Sequence, residues 1–311
     1  MNDAQKLLRI ENAKEFKVNS EEIQVLSHQL RNRFKCIVMF GKSRGSKSCI
    51  MNVFRNKIEK NVGSYLTGLY NKTGSKSVAN EFRVMTTNKK LDNTSFLLCD
   101  IEGEFEFGKT AEISTKLLAI SATISSCLII NIKQALDAAE LNFFNAFLAN
   151  VTKGNSEKFN ELVFLVRDWM HPEKYSFGLE GGNQYLASIK DEYLERIMGL
   201  FTTVQCYLLP AYGYQQVNGS KSCSSFRKER VICEFDEHCQ KFVDSVVMNT
   251  KKEFRTSLLT DRLTKITSKV NKDEILSLFD IQRANDELLI LQEKLTKSVQ
   301  DAEKKCGSVT F

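Results

Sequence analysis

Proline is nearly absent. Pro172 and Pro210 are the only two in 311 residues, and glycine adds just 15. A chain this poor in both is neither collagenous nor dominated by linkers. No run of 18 or more apolar residues occurs, the threshold for a membrane-spanning helix, and the longest candidate, Leu117 to Ile132, is interrupted by Ser, Thr and Asn. No crossing of a membrane is therefore expected. The opening MNDAQKLLRIENAKEF carries no apolar core of the kind a secretory signal needs. Charge of one sign is not in excess either. A net charge of +6 suits an acidic partner such as a phosphate-rich ligand or an anionic membrane surface, but no basic cluster is tight enough for nucleic acid. Internal repeats and low-complexity blocks are missing too.

Nine cysteines cannot all pair with one another, and Cys36, Cys99, Cys127 and Cys206 sit in apolar runs. They read as reduced core thiols and not as a disulfide framework. Cys233, His238 and Cys239 are close in sequence, but their spacing matches no zinc module and no second pair completes four ligands. A helix with buried thiols is expected there.

What is present is a globular composition, 42% hydrophobic and 26% charged, with room for one large α/β domain and a small appendage. The first thirty residues are polar and helical at best. Phe34 to Phe40 (FKCIVMF) reads as a buried strand ending at Gly41, followed by helical periodicity from Ser46. Residues 61–80 read as a long loop. Short strands are expected near Phe82 to Met85 and Ser95 to Cys99. Then come a helix at Ala111 to Thr123, a strand at Cys127 to Ile132, a helix at Ala135 to Val151 and a strand at Leu162 to Asp168. A helix from Asn183 to Leu200 and a strand from Val204 to Leu209 close the series. Apolar strands alternating with helices predict a mainly parallel sheet covered on both faces. From about Phe226 charged helical patterns take over, and ILSLFDIQRANDELLILQEKLTKSVQ has apolar residues at helical spacing. The expected division is a domain over 1–240 and a helical appendage over 241–311.

Chemistry concentrates at three places. Gly41-Lys42-Ser43-Arg44-Gly45-Ser46-Lys47-Ser48 follows a buried strand and opens a helix, the setting of a phosphate-binding loop. There, backbone N–H groups wrap the β-phosphate, Lys neutralises charge and Ser holds Mg²⁺. The usual pattern is G-x-x-x-x-G-K-[ST]; here Ser46 stands in place of its second Gly, which moves to Gly45, and a Cβ at that point crowds the backbone's approach to phosphate. The plain alternative is a helix start rich in Ser and Lys. Asp100-Ile-Glu-Gly103 leaves an apolar strand where Asp can reach a magnesium shell and a Gly N–H can meet a γ-phosphate; the alternative is a strand-ending Asp and a turn Gly. Phe164 to Trp169 (FLVRDW) ends a third strand. The N-K-x-D motif of small GTPases is absent, but the Asp168 carboxylate can accept from both N1–H and N2–H of guanine. Alone, Arg167-Asp168 would be an ordinary strand-end ion pair.

Together these residues resemble the atlastin branch of the dynamin superfamily of large GTPases, relatives of the guanylate-binding proteins. The resemblance rests on Arg44 at the fourth loop position, Cys49 to Asn52 (CIMN), D-x-E-G, Arg-Asp as guanine motif, and above all Val163 to Gly182 (VFLVRDWMHPEKYSFGLEGG). Tyr207 to Pro210 (YLLP) extends it, over roughly residues 30–240. It implies a P-loop GTPase domain that binds GTP or GDP with Mg²⁺. Gly41, Arg44, Gly45, Ser46, Lys47 and Ser48 would then cradle phosphate, with Lys47 and Arg44 catalytic. Arg44 would be an internal arginine finger, worth about 10³–10⁵-fold where such a residue acts. Asp100 and Gly103 would sense the γ-phosphate, Ser48 and Asp100 would serve Mg²⁺, and Arg167 with Asp168 would frame guanine. The resemblance also implies head-to-head pairing, as a homodimer or with a longer relative, and a cytoplasmic protein peripheral to the endoplasmic reticulum.

Three departures stand out. Ser46 is one. Aligning Gly74-Ser75 on the family's Gly-Ser puts Ala79 and Asn80 where relatives carry paired Thr, so Asn80 would offer Mg²⁺ a carbonyl oxygen in place of a hydroxyl; Thr73, Ser75 or Ser77 are the other candidates. Third, where atlastins continue into a three-helix middle domain and two membrane spans, this chain is expected to hold one or two helices. The expected function is GTP binding with slow hydrolysis and GTP-dependent pairing. The alternative is a degraded GTPase acting as a soluble interaction module or regulator of full-length relatives. An adenylate-type kinase or ATPase is disfavoured by the lack of any lid or adenine pocket.

Overall fold

A computed structural model describes residues 5–11, 15–42, 47–59, 82–87, 94–102, 109–151, 158–211, 214–217, 220–223, 234–272, 294–295 and 297–300. The chain opens with β1 (Gln5–Glu11) and β2 (Glu15–Val18), an antiparallel pair, and then α1 (Ser20–Gln29). The pair was not legible as strands, because what secures it is remote. β1 adds antiparallel to β4 (Phe82–Thr86), and Asn271 holds β2 from outside. Phe16 N donates to Asn271 Oδ1 at 2.9 Å, while Asn271 Nδ2 donates to Phe16 O, also at 2.9 Å. An otherwise unpaired strand edge is thereby satisfied.

The centre is β3 (Arg33–Gly41), leading into α2 (Lys47–Ile58). β5 (Ser95–Glu102) pairs parallel with one side of β3 and antiparallel with β4. After α3 (Lys109–Ile124), β6 (Cys127–Lys133) pairs parallel with the other side. α4 (Ala138–Val151) leads to β7 (Phe159–Trp169), and α5 (Leu179–Ser188) and α6 (Glu192–Gly199) lead to β8 (Phe201–Pro210); β7 and β8 continue the parallel run. The sheet order is β2-β1-β4-β5-β3-β6-β7-β8. A separate hairpin, β9 (Tyr214–Val217) and β10 (Ser220–Cys223), precedes α7 (Glu234–Asn249). β11 (Phe254–Arg255) then pairs with the start of β3, before α8 (Leu259–Asn271).

The uninterrupted apolar character of the central strands follows from burial on both faces. Cys36, Val38 and Phe40 of β3 enter a core with α1, α3, α4, α5, α6 and α8; Ile37 and Met39 enter the opposite core with α2 and α7. The division expected at residue 240 falls inside α7, whose Phe242 packs edge-on against Phe54 of α2 with ring centroids 5.9 Å apart. The single helix expected over 183–200 is two. Asp191 caps α6 by accepting from Leu194 N at 3.0 Å, and Ile189 is extended, so an N-cap stops what periodicity alone would continue. Of the amphipathic segment, residues 273–293 lie outside those described. Among the described residues, no helix is long and apolar enough to cross a membrane.

Candidate functional site

β5, β3, β6 and β7 run parallel, so their carboxyl ends share one edge, where open α/β sheets commonly bind ligands. Gly41 closes β3 in register with Asn131 of β6. A Cβ at Gly41 would stand 2.6 Å from the Asn131 carbonyl oxygen, so glycine is needed for the two strand ends to approach. Lys47 begins α2, where unpaired N–H groups and the helix dipole favour an anion. Its side chain is buried, and Nζ donates to the Lys42 carbonyl at 2.7 Å, folding back toward the start of the loop.

One residue on, Ser48 Oγ donates to Asp100 Oδ2. Asp100 is buried near the end of strand β5, paired with Met39 of the neighbouring β3. A hydroxyl and a carboxylate side by side at a helix N-terminus are hard oxygen donors, which suit Mg²⁺. Lys42 points elsewhere: its Nζ lies 3.2 Å from Glu140 Oε1, in α4. Glu140 also forms a reciprocal cap with Asp137, accepting from Asp137 N at 3.3 Å while its own N donates to Asp137 Oδ1 at 3.2 Å. Burial raises the Glu140 carboxyl above the usual range, Asp137 adds to this, and Lys42 opposes it.

The Arg167-Asp168 pair ends β7, one strand beyond β6. Arg167 is buried; its Nε donates to Asn131 Oδ1 at 2.6 Å, and its Nη1 lies 3.6 Å from Asp168 Oδ2. Burial lowers the Arg167 pKa, with the Asp168 charge opposing. Both Arg167 and Asp100 lie close enough to Cys49 to act on its half-buried thiol, which burial raises, Arg167 lowers and Asp100 raises. The guanidinium thus reaches toward the first turn of α2. Asp168 itself has φ 55°, a left-handed conformation that Asp tolerates better than most residues and that concentrates at functional positions.

The structure therefore brings Gly41, Lys47, Ser48 and Asp100 together and sets Arg167 and Asp168 beside them. Arg44, Gly45, Ser46, Asn80 and Gly103 lie outside the described residues.

A family model for the guanylate-binding protein N-terminal domain matches residues 13–255. The chain belongs to this family. Atlastin-3 of Rattus norvegicus is 31% identical over 183 residues, covering 53% of this chain and 34% of that protein. Atlastin-1 of Rattus norvegicus is 27% identical over 217 residues, 61% of this chain and 39% of that one. The matched stretch thus spans little more than a third of these relatives' own length. The G domain of the T. maritima FeoB iron transporter overlaps 57% of this chain and 87% of that chain, with a TM-score of 0.30 and 10% identity, a likeness too loose for any argument.

The segment Val163 to Gly182, on which the atlastin resemblance leans most, has a structural reason for its composition. Behind Asp168, Trp169 packs against Tyr185 with centroids 4.9 Å apart and the rings tilted by 52°, and its Nε1 donates to the Tyr175 carbonyl at 3.0 Å. Gly178 then bonds both ways with Leu208, at 2.8 and 3.1 Å, sealing the outer edge of β8. A Cβ on Gly182 would lie 2.1 Å from the Cys206 carbonyl oxygen, and one on Gly181 1.9 Å from that of Ser176. Gly182→Ala should therefore lift α5 off β8 and cost at least about 2 kcal/mol in chemical denaturation, as overpacking of backbone does. Gly199→Ala, where a Cβ meets nothing within 4 Å, should be neutral or gain up to about 1 kcal/mol. Equal effects for the two would contradict the packing argument.

Asn131 and the Lys42–Glu140 pair were missed from sequence. Asn131 had shown only as a break in an apolar run, although one polar residue within a buried strand is itself a signal of a specific partner.

Proposed function

We propose that this chain binds GTP and GDP with Mg²⁺ and hydrolyses GTP slowly. The observation that carries the reading is the Ser48–Asp100 contact at the start of α2, two strands from the Arg167-Asp168 strand end. In this reading Lys47, with Gly41, Gly45 and Ser46, holds the phosphates and Ser48 and Asp100 hold Mg²⁺. Asp168 reads the guanine edge, and Arg167 sustains it. Bound magnesium would neutralise charge on the phosphate oxygens; the chain's own share is to position the triphosphate against a helix N-terminus, open to the water that attacks it. Gly103 senses the γ-phosphate and Arg44 offsets charge as hydrolysis proceeds. Slow turnover is expected from Ser46, which carries a Cβ where the usual motif has glycine, and from Asn80, whose side chain has no hydroxyl. Head-to-head pairing and peripheral association with the endoplasmic reticulum rest on the family resemblance alone.

A second reading has specific support in Ser46 and Asn80: a guanine-nucleotide-binding interaction module that pairs with relatives and does not hydrolyse. Phosphate release separates the two. Ser46→Gly combined with Asn80→Thr should raise turnover tenfold or more, about 1.4 kcal/mol of barrier, and adding Arg44→Ala should cancel the gain. If turnover stays at background while binding is intact, the module reading replaces hydrolysis.

A further inference from the structure

Asn131 stands where the two halves of the proposed site meet. Its backbone fixes the position of Gly41, whose α-carbon approaches the Asn131 carbonyl too closely for any side chain. Its side chain does something different: Oδ1 accepts from Arg167 Nε at 2.6 Å, in a buried setting. Arg167 in turn flanks Asp168 at 3.6 Å and acts on Cys49 in the first turn of α2. Gln134, another left-handed residue at φ 65°, braces the same point, its N donating to the Arg167 carbonyl at 2.7 Å.

A buried guanidinium needs acceptors to hold its plane, because each donor left unpaired carries a desolvation cost. Nε has a fixed direction, so one acceptor at Asn131 sets the rotation of the whole fork and hence where Nη1 meets Asp168. Asp168, in an uncommon backbone conformation at a strand end, depends on such external support.

We infer that Asn131 is a positioning residue for base selection: through Arg167 it aims the Asp168 carboxylate, and it keeps that carboxylate in register with the phosphate loop. This rests on the guanine-nucleotide reading above. It makes base discrimination depend on a residue that touches neither base nor phosphate.

The test measures dissociation constants for GTP and ATP, each with Mg²⁺, in four forms of the full chain: unmodified, Asn131→Leu, Asn131→Ser and Asn131→Asp. Leu has similar volume and no acceptor, and Ser is too short to reach Nε. In both, the preference for GTP over ATP should fall at least tenfold, chiefly through weaker GTP, with ATP changed less than threefold. Asp keeps an acceptor oxygen in the same place and should retain the preference within about threefold. A purely structural role would weaken both nucleotides together, and that result overturns the inference, as does a preference preserved in Leu. Should Leu fail to fold, Ser decides on the same criterion. If the unmodified chain itself shows no preference for GTP, the guanine reading falls and the inference falls with it. A preference present in the unmodified chain and intact in Leu and Ser sinks the inference alone.

Discussion

Lys47→Ala should abolish the stabilisation that GTP confers. The ammonium is buried at the start of α2, beside the Lys42 carbonyl and one residue from the Ser48–Asp100 contact. Among the described residues Lys47 is the buried cation on α2 itself. A ligand at about 100 times its dissociation constant stabilises a fold by roughly 2.7 kcal/mol. For a domain of this size that corresponds to about 5 °C or more in melting temperature. The variant loses its own hydrogen bond to Lys42, so its melting point without nucleotide should also drop. The quantity to compare is therefore the shift on adding GTP, not the absolute value. The unmodified chain should show the full shift and Lys47→Ala none. A shift that survives in the variant would place the phosphates elsewhere.

Asp168→Asn should redirect base preference. A carboxylate accepts from guanine N1–H and N2–H together, and hydrogen bonds to charged groups contribute about 1.5–3 kcal/mol each. Replacing the acid with an amide leaves one acceptor and turns a donor toward the guanine amino group. GTP should weaken by about 2–3 kcal/mol, roughly 30- to 150-fold in dissociation constant. Xanthosine triphosphate carries a carbonyl where guanine has the amino group, so the new donor meets an acceptor and its affinity should hold or improve. The backbone need not move, because Asn tolerates the φ of 55° seen at this position as well as Asp does. Equal loss of both nucleotides would mean that Asp168 only shapes the strand end.

These two residues were legible in the sequence because their signals are local. Lys47 lies between an apolar strand and a helical period, and Asp168 ends an apolar strand inside a long distinctive segment. The alternation of strands and helices likewise announced the parallel sheet. β1 and β2 were hidden, since Phe16 is held by Asn271, 255 residues away, and no local period encodes such a bond. The break between α5 and α6 was missed for the opposite reason: one capping Asp191 overrides a helical pattern that continues through it. Asn131 showed in the sequence only as a break in an apolar run, because its meaning lies in Arg167, on the neighbouring strand and 36 residues later. Single positions reveal chemistry when the chain supplies their context nearby; positioning residues acquire it only when strands are laid side by side.

In the proposed function the carboxyl edge of β3, β5 and β7 takes a guanine nucleotide with magnesium. The decisive measurement is titration of the unmodified chain with a fluorescent GTP analogue, with and without Mg²⁺. The signal should be saturable, depend on Mg²⁺, be displaced by unlabelled GTP and GDP, and resist ATP at about tenfold higher concentration. A signal displaced equally by ATP, or no saturable signal with Mg²⁺ present, would contradict it.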